Sequence, residues 1–154
     1  MKLPSGKELR VVTAIVAFNE AEKLKTQFER FSPGYTDTVL LVDDGSTDGS
    51  AQVGKNAGVD VISHPLRQGV GAAVQSAIRF ALEGNYDVLT IMAGNDKDRP
   101  DEIPRLLNKI DEGYDFVIGS RYLPGGRYDN TPSYRILATR YVHPLVVWLR
   151  RLPR

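Results

Sequence analysis

The 154-residue sequence contains no cysteine. That excludes disulfides, a thiolate zinc site and a cysteine nucleophile. Histidine is nearly as scarce. The two present, His64 and His143, stand too far apart to suggest a metal pair. No apolar run approaches the ~18 residues of a membrane-spanning helix. Neither sign of charge dominates. The formal net charge is +1, so bulk charge points to no nucleic acid and no membrane. The first ten residues carry charge and no apolar core, so no secretory leader is expected, and a cytoplasmic location fits. There is no internal repeat and no low-complexity segment.

What is present is ordinary for a soluble globular protein: 42% hydrophobic and 25% charged residues. A chain of this length buries about two-thirds of its unfolded surface. One domain spanning 1–154 is expected, with a core over about 10–132 and a helical tail over 133–154.

Residues 1–9 read as a loose polar lead-in with Pro4 and Gly6. Residues 10–18 are β-branched and apolar, a first strand. In 21–31, Leu24, Phe28 and Phe31 recur four and three apart, which predicts an amphipathic helix. Val39-Leu40-Leu41-Val42 reads as a strand covered on both faces. Asp43-Asp44-Gly45 then makes a turn, and the Ser/Thr/Asp cluster after it predicts a helix start at Ser46. A third strand is expected over 59–63. The strongest helix is 69–82, with Val70, Ala73, Val74, Ala77, Ile78 and Ala81 on one face. A fourth strand (87–92), a polar loop (93–100), a helix (101–112), a fifth strand (115–119) and a glycine-rich loop (120–132) follow. Pro144 should kink the helical tail.

Strands alternating with helices across short connections predict an α/β fold, a mostly parallel sheet with helices on both faces. Polar clusters follow the second, fourth and fifth strands. They gather at the carboxyl edge of the sheet, where open α/β sheets bind ligands. One cleft there would contain Asp44, Asn95, Asp96, Asp98 and Arg121.

Val42-Asp43-Asp44-Gly45-Ser46-Thr47-Asp48-Gly49-Ser50 resembles the signature of family 2 glycosyltransferases, whose fold is the Rossmann-like three-layer α/β/α GT-A fold. Phe18-Asn19-Glu20 resembles that family's Tyr-Asn-Glu. Arg67-Gln68-Gly69-Val70-Gly71-Ala72-Ala73 resembles its Asn-x-Gly-x-Gly-x-Ala segment. Asp101-Glu102-Ile103-Pro104 resembles the helix after its Asp-x-Asp loop. Gly119-Ser120-Arg121-Tyr122 with Gly125-Gly126 resembles the dolichyl- and polyprenyl-phosphate mannose synthase branch.

The resemblance implies a nucleotide-diphospho-sugar donor, a divalent cation (Mg or Mn) and inverting transfer to an acceptor such as polyprenyl phosphate at a membrane surface. It also implies roles. Asp43 and Asp44 would accept hydrogen bonds from base or ribose. Alternation along a strand lets one of them reach the ligand, and Asp44 is favoured. Phe18 would pack on the base, with Asn19 and Glu20 beside the nucleotide. Gly69 and Gly71 would let a helix start approach the donor. Arg121 would neutralise phosphate charge.

Three departures stand out. Ala93-Gly94-Asn95 occupies the Asp-x-Asp position, leaving Asn95 as an oxygen donor, with Asp96 and Asp98 as a shifted metal pair or Lys97 as a substitute cation. Arg67 stands where asparagine is usual. The chain also stops soon after the Gly-Gly segment, which favours a truncated or remnant member over a complete enzyme. The plainer readings are turn capping by Asp44, a solvated loop over 95–98, a surface ion pair at Arg121 and a loop role for His64. The alternatives in function are a non-catalytic nucleotide-sugar-binding remnant and a phosphoacceptor signalling domain.

Overall fold

A computed structural model describes residues 1–120. Met1–Val117 form one compact unit, which carries the sheet. Arg121, the Gly-Gly segment and the 133–154 tail lie outside the described residues.

Strand β1 (Val11–Ala17) is buried at every position except Val16. A run of this kind has no solvent-facing side, so it belongs in the middle of a sheet covered on both faces. It is flanked by β2 (Thr38–Asp43) and β4 (Val88–Ala93), and β3 (Asp60–Ser63) lies outside β2. Every pairing is parallel. The register sets Ala17 against Asp43, Asp43 against Ser63, and Val16 against Ala93. All four strands therefore end at one edge.

The two faces pack differently. On one, Val11, Ile15, Ala17, Leu41 and Met92 meet Leu24 of α1 (Ala21–Glu29) and Ile103 and Leu107 of α4 (Ile103–Asp111), with Val53 of α2 (Ser50–Asn56) against them. On the other, Val12, Ala14, Leu40 and Val42 meet Ala73, Ala77 and Ala81 of α3 (Val70–Glu83). The result is three layers, α/β/α. Each fully buried leucine or isoleucine contributes about 1.5–3 kcal/mol of transfer free energy.

Four expectations are corrected. The α3 face is a row of alanines: Val70 is 70% exposed and Ile78 44%. The strands already supply the bulk, so small residues at i, i+4 and i+8 let the helix lie close, and hydrophobic periodicity cannot tell that row from the larger one beside it. The lead-in is not loose. Leu3 and Leu9 are buried, and the amino terminus donates to the Leu9 carbonyl at 2.5 Å. Helix α2 begins at Ser50, not Ser46: Ser46 Oγ is taken by the Asn19 amide, and Asp48 divides its carboxylate between the Ala21 amide of α1 and the Ser50 amide. Residues 115–119 form no strand, and Phe116 is 79% exposed. An apolar alternation becomes a strand only where a neighbouring ladder pairs with it, and none does so among the described residues.

Candidate functional site

The two carboxylates at the end of β2 point to different tasks. Asp43 shares the face of Ala17, and its Oδ1 accepts the Ser46 amide at 3.2 Å across the turn. Its Oδ2 accepts no hydrogen bond from the described residues. Asp44 turns the other way. Its Oδ1 accepts the Gln68 amide at 2.9 Å and lies 2.9 Å from His64 Nδ1, and its Oδ2 accepts the Gly69 amide at 2.7 Å. Gln68 and Gly69 lead into α3, so the carboxylate sits at that helix's positive end. Burial alone would raise the Asp44 carboxyl. The Gln68 amide, His64 and the Gly69 amide together outweigh it and hold the group below the usual carboxylate range. The turn cap is thus Asp43, and Asp44 binds a loop more than twenty residues away. Both carboxylates are buried, and the oxygen that takes no hydrogen bond among the described residues belongs to Asp43.

His64 was not legible as a site residue. It is nearly enclosed, with Nε2 2.9 Å from Ser76 Oγ of α3. Only its place at the end of the third strand hinted at this. The loop it opens is pressed onto the β2 turn. Gly45 has φ +75°, and a Cβ there would lie 2.6 Å from Arg67 N and Leu66 C. Only glycine allows both that conformation and that approach.

Residues 18–21 and 46–50 are knitted together. The Asn19 amide donates to Ser46 Oγ (2.9 Å) and the Thr47 amide to Asn19 Oδ1 (2.9 Å). The Glu20 amide donates to Ser50 Oγ (3.0 Å). Asp48 accepts the Ala21 amide at 2.9 Å and the Ser50 amide at 2.9 Å. Asp48 therefore caps α1 from the loop that follows β2. Its carboxyl, which burial would raise, is held low by Ser50 and the Ala21 amide. Asn19, at φ 54°, organises the backbone here. Glu20 pairs with Lys23 at 2.5 Å.

Phe18 follows the end of β1 and is half-buried. The Arg67 guanidinium lies 4.3 Å from its ring centroid. Gly69 and Gly71 have open space where a Cβ would project. Phe18, Asp43, Arg67 and the start of α3 thus share one edge of the sheet.

The loop after β4 is also tied down. Gly94 packs on β1, where a Cβ would be 2.7 Å from that of Ala17. Gln27 of α1, fully buried, donates to the Ala93 carbonyl at 3.0 Å. Asp98 accepts the Ala93 amide at 2.8 Å, Asn95 the Lys97 amide at 3.2 Å, and Asp96, at φ 59°, pairs with Arg30 at 2.6 Å. A divalent cation here needs carboxylate oxygens directed at one point. Among the described residues no three of His, Cys, Asp and Glu converge in that way. Asn95, Asp96 and Asp98 thus form no ready cage of ligands among the described residues, with one oxygen of Asp96 engaged by Arg30 and one of Asp98 by the Ala93 amide.

A separate open groove of about 530 Å³ lies between α1, α2 and β2, lined by Phe28, Phe31, Val39, Val53 and Val59. It has no carboxylate or amide cluster comparable with the carboxyl edge.

Comparison with known proteins agrees with this fold. Undecaprenyl-phosphate mannosyltransferase of Micrococcus luteus is 35% identical over 133 residues, covering 82% of this chain and 54% of that protein. Polyprenol monophosphomannose synthase of Mycolicibacterium smegmatis is 33% identical, covering 85% and 52%. The chain thus spans about half the length of the curated relatives it matches. Among solved structures, a mannosyltransferase from Pyrobaculum calidifontis in complex with GDP-Man and Mn2+ shares the fold, with a TM-score of 0.57 at 18% identity over 70% of this chain and 34% of that one. Glucosyl-3-phosphoglycerate synthase from Mycobacterium tuberculosis, in complex with Mn2+, UDP and glucosyl-3-phosphoglycerate, does so with a TM-score of 0.55 at 20% identity over 85% and 50%. The sequence profile described as Glycosyl transferase family 2 matches residues 13–150, and the chain belongs to that family.

Proposed function

We propose that this chain provides the donor half of an inverting glycosyltransferase, taking a sugar from a nucleotide-diphospho-sugar to polyprenyl phosphate at a membrane surface. The observation that carries the reading is the Asp43 carboxylate. It ends a central parallel strand, its Oδ2 takes no hydrogen bond among the described residues, and Phe18 and the open start of α3 lie at the same edge of the sheet. A carboxylate acceptor suits the N–H of a base or the hydroxyls of a ribose, and the ring suits the base face. The relatives named as polyprenyl-phosphate mannosyltransferases support the acceptor.

In such a transfer the acceptor oxygen bonds to the anomeric carbon from the face opposite the leaving group. The bond from that carbon to the diphosphate oxygen breaks, and its electron pair leaves with the diphosphate. A phosphate acceptor is already an anion, so no general base is required. The developing charge on the diphosphate needs fixed positive charge or aligned N–H groups. Arg121 is assigned to that task through the family's Gly-Ser-Arg-Tyr segment.

A second reading is a binding remnant without turnover. It is favoured by the engagement of Asp96 with Arg30 and of Asp98 with the Ala93 amide. Incubation with GDP-mannose or UDP-glucose and polyprenyl phosphate in vesicles separates the two. Formation of a lipid-linked sugar of inverted anomeric configuration supports transfer. Saturable nucleotide binding without product supports the remnant.

A further inference from the structure

We propose that Arg67 is the cation that receives the donor's diphosphate, so that nucleotide recognition by this chain does not depend on a divalent ion. The proposal rests on the donor reading above and adds to it a residue and a charge-matching device.

Arg67 is held on both sides. Before it, the Leu66–Arg67 peptide lies against Gly45, where a Cβ would be 2.6 Å away. After it, the Gln68 and Gly69 amides are fixed by the two oxygens of Asp44. His64, at the start of the same loop, is braced between Asp44 and Ser76. The turn that ends β2 therefore positions the Arg67 backbone, although Arg67 itself is exposed.

Its side chain is unlike the other arginines near this edge. Arg30 is paired with Asp96, and Arg99 with Asp101. Arg67 has no hydrogen-bond or carboxylate partner among the described residues, and its one contact of this kind is the Phe18 ring at 4.3 Å. Stacking uses the face of a guanidinium. The planar edge, with its N–H donors, stays available, and that fork suits two phosphate oxygens.

The topology places this charge centrally. Phe18 follows β1, and β1 lies between the strand that ends in Asp43 and the strand that ends in Ala93. On the Ala93 side the carboxylates that would gather a cation are absent or engaged. The diphosphate still carries its charge into the cleft. Arg67 is a preset, acid-free guanidinium at that edge.

The test is calorimetric titration of GDP, UDP and the corresponding nucleosides into the chain, in EDTA and in Mn2+, for wild type, Arg67→Ala and Arg67→Lys. Thermal melts verify that each variant is folded. The expected result is diphosphate binding in EDTA that Mn2+ changes by less than about twofold. Arg67→Ala should weaken it by about tenfold or more, the scale of a lost charge-assisted hydrogen bond, with Arg67→Lys between the two. Nucleoside affinity should stay within about threefold, because the loss is confined to the phosphates. Equal diphosphate affinity in folded Arg67→Ala overturns the proposal, as does diphosphate binding that requires Mn2+. A wild type that binds neither nucleotide nor nucleoside overturns the donor reading itself and this proposal with it.

Discussion

The Asp44 carboxylate and the His64 imidazole meet at 2.9 Å, and His64 continues to the Ser76 hydroxyl at 2.9 Å. In outline this is the carboxylate–imidazole–hydroxyl chain of acyl transfer. Its surroundings do not suit that chemistry. Ser76 lies inside α3, where neighbouring amides are held in the helix and no pair of N–H groups is left to stabilise an oxyanion. The chain of contacts is a brace joining β2, β3 and α3. His64→Ala should therefore lower unfolding stability by about 1–3 kcal/mol, because it strips a buried carboxylate of one partner. Urea unfolding measures this, and a loss below about 0.5 kcal/mol would count against a bracing role.

The depressed carboxyls of Asp44 and Asp48 set an acid limit. Both groups titrate lower in the folded chain than in the unfolded one. The unfolded chain therefore binds protons first as pH falls. Their stabilising contribution is complete above the ordinary aspartate value near ~4 and disappears as pH falls through the lower folded values. Melting temperature followed from pH 7 downward should fall in that acid range. In Asp44→Ala the fall should be shallower from a lower starting point. An equally steep fall in the variant would show that Asp44 does not contribute.

Gly45→Ala should be far more damaging than an ordinary loop substitution. The position combines φ +75° with a Cβ that would lie 2.6 Å from backbone atoms of Leu66 and Arg67. Backbone strain of this kind costs on the order of 1–3 kcal/mol, and relief requires the 64–69 loop to move. Stability and nucleotide affinity should fall together in this variant. A drop in stability with unchanged nucleotide affinity would show that the loop's position does not matter to the ligand.

Asp48→Ala should lower stability by about 1 kcal/mol, the usual cost of a lost helix cap. The helix affected should be α1, since Asp48 accepts the Ala21 amide. Hydrogen exchange at the first turn of α1 reports it directly. Faster exchange confined to α2 would contradict the assignment.

Much of the architecture was legible in the sequence because strand and helix periods are local. Val11–Ala17 and Thr38–Asp43 announce central strands by their apolar runs, and Leu24 and Leu107 mark the buried faces of their helices. The carboxyl edge followed from the alternation of strand and helix. What was not legible depends on contacts between distant residues. Asp48 sits beside α2 in sequence yet caps α1. Asp44 reads as the favoured ligand contact or, more plainly, as a turn cap, yet it binds the distant Gln68 and Gly69 amides. Asp96 and Asp98 read as a free carboxylate pair, but Arg30 and the Ala93 amide occupy them. Spacing carries no record of such partners.

The central claim is that the carboxyl edge around Asp43 holds a nucleotide donor. Titration of GDP and UDP into wild type and Asp43→Asn, followed by amide chemical shifts, tests it most directly. The account predicts saturable binding with shifts at Phe18, Asp43 and Gly71. It also predicts about a tenfold loss in Asp43→Asn, as for a hydrogen bond to a charged acceptor, with the fold intact. Equal affinity in Asp43→Asn, or shifts confined to the groove at Phe28, Val53 and Val59, would contradict it.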